Sequence, residues 1–280
     1  MFAKIAKLIP GRATSRERRL PRPPRAPEGI CVYAVGDIHG ELECLEVLMG
    51  RIDAHAQQVR EEFGLEPVVV FLGDYVDRGR NSRAVLDLLI GLEGGDGGRR
   101  RHRFLKGNHE EAMLDFLRRP AEGAPWLRFG GVETLASYGI RTSVGLSDPV
   151  RLADLSRRLA TALPPSHLAF LEGLETMVLL GDYAFVHAGI RPGVPFERQA
   201  PDDLLWIRDA FLASGRDHGK VVVHGHTIVE KVQFLDNRIA VDTGAYATQR
   251  LSCVAIHDAT RTVIDSTVHD QRQDDATIAI

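Results

Sequence analysis

Cysteine is scarce in this chain: Cys31, Cys44 and Cys253 are the three present in 280 residues, with no CxxC spacing. An odd count without a ligand pattern offers no disulfide framework to read and suggests a reducing compartment, so a cytoplasmic location is expected. No apolar run approaches the length needed to span a bilayer, which argues against a transmembrane segment. The opening MFAKIAKLIPG is too short and too interrupted by lysine for a secretory signal. It reads as a frayed basic tail, or as a short amphipathic piece touching a partner or an anionic surface. Basic charge is also missing from the body of the protein. The first 28 residues hold eight Lys or Arg against two Glu, so +6, and the overall balance of -3 leaves -9 for the rest. An acidic body argues against nucleic acid as a partner and makes a nuclease a weak reading. There is no internal repeat at a fixed period.

What is present suits one large domain, or a domain with an insertion, with enough apolar residues for a full core. Residues 1–29 are rich in Arg and Pro (RRLPRPPRAPE) and favour extended, solvated backbone. The folded domain is expected over 30–268, with a C-terminal tail at 269–280. Strands are expected at 31–36, 67–72 and 101–105, alternating with helices at 41–58 and 81–92 and with a flexible GGDGG turn at 94–98. That order implies an α/β fold with parallel strands. Residues 110–173, broken by Pro120, Pro125, Gly130-Gly131 and Pro164-Pro165, read as a helical insertion. Strand-like runs follow at 175–180, 183–187, 220–224, 228–235, 238–242, 251–257 and 261–266. Short links such as LLGDYAFVH and LDNRIAV predict antiparallel hairpins in this second half.

One stretch, VYAVGDIHGE (32–41), ends a buried strand with Asp37 and His39 between two glycines. On an extended chain the two side chains share one side, as half of a metal site would require. In isolation the stretch reads equally as an ordinary strand-to-helix turn with Asp37 near the helix start. Other strand ends repeat the pattern. VVVFLGDYVDRG carries Asp74, Asp77 and Arg78; RFLKGNHE carries Asn108, His109 and Glu110; YAFVHAG carries His187; VVVHGHT carries His224 and His226. Asp, Asn and His are the ligands of hard and borderline divalent metals, and α/β sheets place sites at the carboxyl ends of strands. Each block taken alone has a structural explanation: a surface-paired turn for GDYVDRG, a satisfied histidine for His187. Their recurrence in order at one structural place does not.

GDIHG, GDYVDRG, GNHE, HAG and GHT resemble the signature blocks of the calcineurin-like metallophosphoesterases. In form they are similar to the phosphoprotein phosphatase branch, including bacterial and bacteriophage lambda-type enzymes. WLRFGGVETLASYG (126–139) and LLWIR (204–208) are similar to bacterial members. The resemblance implies a four-layer sandwich of two mixed sheets flanked by helices, and a metal-dependent phosphomonoesterase acting on phosphoserine or phosphothreonine in proteins. It implies two divalent ions, manganese first and iron or zinc as options, that activate a water to attack phosphorus in line. Asp37 and His39 would bind one ion and Asp74 both, with Asn108, His187 and His226 completing the second. His109 would be the proton donor oriented by Asp77, and Arg78 and Arg208 would hold phosphate oxygens. His224 reads as packing rather than a ligand, and Lys106 replaces the arginine frequent before GNHE, losing its fork. His55, His102, His167, His218, His257 and His269 lie outside every block. Trp126, Phe129 and Tyr138 serve as pocket lining or as core. The rival sharing the metal centre is a diadenosine tetraphosphate (dinucleoside polyphosphate) hydrolase; symmetrical members tend to read GDLVARG and GNHD, lacking the residue found here as Asp77. A non-catalytic scaffold of the same fold would be expected to lack ligands or acid, which this sequence has.

Overall fold

The computed structural model describes residues 22–95, 101–142 and 147–267. Expectations for 1–21, 96–98 and 269–280 lie outside the described residues. The chain runs β1 (Ile30–Val35), α1 (Leu42–Phe63), β2 (Glu66–Phe71), α2 (Ser82–Gly95), β3 (Arg101–Phe104), α3 (Asn108–Arg118). Four further helices follow: α4 (Ala124–Trp126), α5 (Val132–Ser137), α6 (Pro149–Ala162) and α7 (Pro165–Gly173). The second half is β4 (Met177–Leu180), β5 (Tyr183–Val186), α8 (Pro201–Trp206), α9 (Asp209–Leu212), β6 (Val221–His224), β7 (Gln233–Phe234), β8 (Arg238–Ala240), α10 (Ala245–Thr248), β9 (Ser252–His257) and β10 (Thr260–Asp265).

These strands form two mixed sheets, ordered β10-β9-β1-β2-β3 and β4-β5-β6-β8-β7. Period-two alternation divides β1 between two cores. Val32 and Ala34 face inward, with Val68, Val70, Phe185, Val223 and Ile239, and fill the space between the sheets. Cys31, Tyr33 and Val35 face outward and pack with Leu45, Leu48 and Ile52 of α1. A strand buried on both faces needs an unbroken apolar run, and ICVYAV and PVVVF are such runs. The outer face of the second sheet is covered by Leu204, Ile207 and Phe211, from α8, α9 and the link between them. The result is four layers, helix–sheet–sheet–helix.

Strand direction in the second half differs from the expectation. The β4–β5, β7–β8 and β9–β10 pairs are antiparallel, as their short links require, but β5–β6 and β6–β8 are parallel. The chain between β5 and β6 is a long crossover carrying α8 and α9, so β6 enters in the same direction as β5. The run at 228–235 holds only the two-residue β7. With this topology β1, β2 and β3 end together, as do β5, β6 and β8.

Contacts begin upstream of Ile30. Ala26 is buried, its N–H donates to the Asp258 carbonyl at 2.9 Å, and the Arg25 carbonyl accepts from the Asp182 N–H at 2.9 Å. The Asp182 carboxylate accepts from the Arg25 N–H at 3.0 Å. Arg25 and Ala26 thereby join the β9–β10 turn of one sheet to the β4–β5 turn of the other. The three cysteines are free and buried. Among the described residues no helix is long and apolar enough to cross a membrane. Asp182→Ala removes the acceptor for a backbone N–H, a loss of about 1 kcal/mol, and is expected to lower the melting temperature by about 2–4 °C in a domain of this size. An unchanged melting temperature contradicts the joining role.

Candidate metal centre and active site

Strained loop conformations concentrate at the strand ends. Seven non-glycine residues have positive φ among the described residues, and five of them are His39, Asp74, Asp77, Arg78 and His226. Left-handed backbone costs a non-glycine residue about 1–2 kcal/mol, so surrounding structure must enforce it. Glu110 does so for the β2 loop. Its buried carboxylate accepts the N–H groups of Asp74 (2.9 Å), Tyr75 (2.7 Å), Val76 (3.2 Å) and Gly107 (2.8 Å). The sequence reading assigned Glu110 no role. Its signal was available: Glu110 is the third residue of α3, where a capping-box carboxylate reaches back to the N-cap N–H of Gly107. Gly107 itself is required, since a Cβ there would lie 2.1 Å from Asp74 Oδ1.

Asp74 stands at the focus. Its Oδ2 is 3.5 Å from His39 Nε2 and 3.9 Å from His109 Nε2, while its Oδ1 is 3.4 Å from His187 Nε2. Two groups of donor atoms, each within 4.8 Å of one another, result: His39, Asp74 and His109, and Asp74, His187 and His226. Asn108 Oδ1 adjoins the second, 2.9 Å from His187 Nε2 and 2.8 Å from His226 Nδ1. Asp37 lies outside the two groups but beside them. Its Oδ2 accepts the His226 N–H at 2.9 Å, and its Oδ1 is buried without a partner, as is His226 Nε2. His39 is brought round by a turn rather than by alternation along an extended chain, as its φ of 48° shows. Since α1 starts at Leu42, Asp37 is not a helix cap.

The protonation states suit metal ligands. His39 Nδ1–H donates to the Val76 carbonyl and His187 Nδ1–H to the Leu72 carbonyl, both at 2.9 Å, which turns each Nε2 lone pair toward Asp74. Burial holds these imidazoles neutral: His39 is lowered to about 3, His226 to about 2, and His187 is lowered as well. Burial opposes charge on Asp74, but His187, His109 and His39 outweigh it and keep the carboxyl well below its usual range. Asp37 is pushed well up, first by burial and then by the charges of Asp242 and Asp74. Three buried carboxylates so close repel one another, and divalent cations would relieve that repulsion. Two unpartnered buried atoms, neutral imidazoles and a carboxylate shared between two groups make a donor set that fits a dinuclear divalent site. Asp242, at the end of β8 with its Oδ1 accepting the Gly244 N–H at 2.8 Å, was missed in the sequence; AVDTG, another strand end closed by glycine, was its signal.

Beside this focus, His109 Nδ1 lies 2.7 Å from Asp77 Oδ2. Asp77 also accepts from Trp126 Nε1 at 2.8 Å and from Thr134 Oγ1 at 2.6 Å. Burial resists charge on both partners, yet Asp74 and Asp77 raise His109 to about 9, so the pair's proton resides on the imidazole. Arg78 Nη2 is 3.3 Å from His109 Nε2. Arg208 lines a cavity of about 330 Å³ with Asn108, His109, Trp126, Phe129, Trp206 and His226. Thus all ten residues picked out in the sequence converge, with Thr134 and Glu110 added. Tyr138 is core, bonded to His167 at 2.7 Å. Lys106 pairs with Glu111 at 3.0 Å, and His224 packs edge-on to Phe211 outside both donor groups. His55 and His257 sit against Tyr33 and Phe63, away from the site.

Residues 32–251 match the family model of the calcineurin-like phosphoesterases. The chain belongs to that family. Its residues therefore make a metallophosphoesterase, a hydrolase of phosphoesters. It is similar to serine/threonine-protein phosphatase 2 of Escherichia coli (strain K12), at 26% identity over 79% of this chain and 90% of that protein. It is also 26% identical to the asymmetrical bis(5'-nucleosyl)-tetraphosphatase PrpE of Bacillus subtilis (strain 168), over 78% of this chain and 87% of that one. A solved structure proposed to be a diadenosine tetraphosphatase shares the fold, with a TM-score of 0.57 and 20% identity over 87% of this chain and 97% of its own.

A Cβ at position 225 would fall 2.0 Å from Asp37 Oδ1. Gly225→Ala is therefore expected to displace that carboxylate and weaken manganese binding by about 10–100-fold with the fold retained. Calorimetric titration checks this, and undiminished affinity would show that Asp37 is no ligand.

Proposed function

We propose that this phosphoesterase is a serine/threonine protein phosphatase, with Asp37, His39, Asp74, Asn108, His187 and His226 holding two divalent ions. Manganese is the proposed metal, with iron or zinc as alternatives, and the cytoplasm the proposed location. Such ions supply a lowered water pKa and polarise phosphoryl oxygens when bound. The chain's own residues do the rest. Arg78 and Arg208 present guanidinium forks toward the phosphate position, where a planar donor pair matches two phosphate oxygens.

The observation that carries the reading is the His109–Asp77 pair. A serine or threonine alkoxide is a poor leaving group and needs a proton, whereas an aryl oxide leaves unaided. His109 holds that proton, and Asp77 is fixed by Trp126 and Thr134 so that the ring cannot turn away. Adjacent to the 330 Å³ cavity and sharing Trp126 and Trp206 with it, a second cavity is lined by Glu111, Asp115, Glu122, Asp202 and Arg119, with Lys106 paired to Glu111 and Arg119 to Asp115 and Glu122. Even with those pairs the carboxylates outnumber the cations there, which suits a peptide better than a polyanionic dinucleotide. The basic N-terminal tail is proposed to contact a partner or an anionic surface.

A second reading, dinucleoside polyphosphate hydrolysis, is favoured by Phe129 and Trp206. Both are exposed on the cavity wall, offering faces on which a base could stack. Turnover of phosphoserine peptides against diadenosine tetraphosphate separates the two, and preference for the dinucleotide overturns the first.

His109→Asn is expected to lower kcat by about 10²–10⁴ on a phosphoserine peptide and far less on an aryl phosphate. Equal losses would show that His109 is not the acid. The protonated form of His109 is the active one, so peptide turnover should fall as pH rises through its pKa. That pKa is about 9 before metal is added, and nearby cations pull it lower. The aryl substrate should lack this alkaline limb.

A further inference from the structure

Arg78 occupies an awkward position. It is left-handed (φ 69°), its N–H donates to the Gly130 carbonyl at 3.2 Å, and its guanidinium lies beside the His109 ring. An ion pair would hold the guanidinium in place but would spend the donors that a phosphate needs. What lies against it instead is an aromatic face: Arg78 Cζ is 4.6 Å from the centroid of the Tyr246 ring. The same ring meets His39 edge-on, with centroids 5.5 Å apart and planes at 86°.

Tyr246 is placed by a well-braced turn. Gly244 is left-handed (φ 68°), with its N–H donating to Asp242 Oδ1 and its carbonyl accepting the Ala247 and Thr248 N–H groups at 2.9 Å. Thr243 Oγ1 donates to the Arg250 carbonyl at 2.8 Å. Ala245 is buried, while Tyr246 is half-buried with its ring toward the site.

We infer that Tyr246 is a positioning residue: its ring face holds the Arg78 guanidinium over the phosphate position while leaving for substrate the N–H donors other than that of Nη2, 3.3 Å from His109 Nε2. A cation over an aromatic face is attracted without hydrogen bonding, and the contact is worth more as water is excluded. The inference rests on the reading of Arg78 as a phosphate ligand. It makes the ring, not the hydroxyl, the functional part.

The test is a double-mutant cycle on metal-saturated enzyme, reading the competitive inhibition constant of inorganic phosphate against p-nitrophenyl phosphate. Tyr246→Leu should raise that constant and KM by about 3- to 30-fold, with kcat changed less. Tyr246→Phe, which keeps the ring, should stay within about twofold. In an Arg78→Ala background, Tyr246→Leu should change the constant by less than about twofold. Metal content and melting temperature, measured on each variant, separate positioning from lost structure. An equal effect of Tyr246→Leu in both backgrounds overturns the inference, as does a Tyr246→Phe defect matching that of Leu. If Arg78→Ala alone leaves the constant unchanged, the phosphate reading of Arg78 falls and the inference with it, an outcome distinct from a failed coupling.

Discussion

A single buried carboxylate ties the site together. Glu110, at the start of α3, accepts four backbone N–H groups, three from the loop after β2 and one from the loop after β3. Those donors would otherwise be unsatisfied at a crowded loop end, at a cost of about 1–3 kcal/mol each. With them gathered on one side chain, Asp74 can keep its left-handed backbone and aim both oxygens at separate sets of imidazoles. Asp77 and Arg78 continue the same loop. One anchored segment therefore carries the shared carboxylate, the partner of the proposed acid and the guanidinium proposed to face phosphate, so an error in its placement would disturb all three.

The electrostatics match this construction. Asp37, Asp74 and Asp242 are buried close together, while the surrounding imidazoles are held neutral by burial. A buried charge without a counterion is expensive. Among the described residues, Asp37 Oδ1 and His226 Nε2 are left without hydrogen-bond partners at this place. The fold thus concentrates negative charge and lone pairs where cations would complete it. His109 differs from its neighbours because Asp77 and Asp74 outweigh its desolvation, so one imidazole carries a proton while three do not.

Much of this could be read from the sequence, for a physical reason. A strand buried on both faces is a continuous apolar run, so polar residues that follow it immediately, bracketed by glycine, stand out. GDIHG, GDYVDRG, GNHE, HAG and GHT each announced a side chain that the structure brings to the focus. The hairpins of the second sheet were legible from their short links, but the parallel β5–β6 and β6–β8 pairings were not. The β5–β6 crossover is built on helices of six and four residues, too short to display a helical period. Nor were the roles of Trp126, Thr134 and Tyr246, which depend on how a helix or turn packs over the loops. Local pattern does not encode that packing. Arg25 and Ala26 misled in the opposite sense: an Arg- and Pro-rich stretch reads as solvated, yet its backbone groups join two turns.

The central claim is that Asp74 is shared between two cations held by loop ends from both sheets. Anomalous diffraction from crystals soaked in manganese tests it most directly. The account predicts two peaks about 3.5–4 Å apart, one contacting Asp74 Oδ2 and His39 Nε2, the other Asp74 Oδ1 and His187 Nε2. A single peak, or peaks that leave Asp74 untouched, would contradict it.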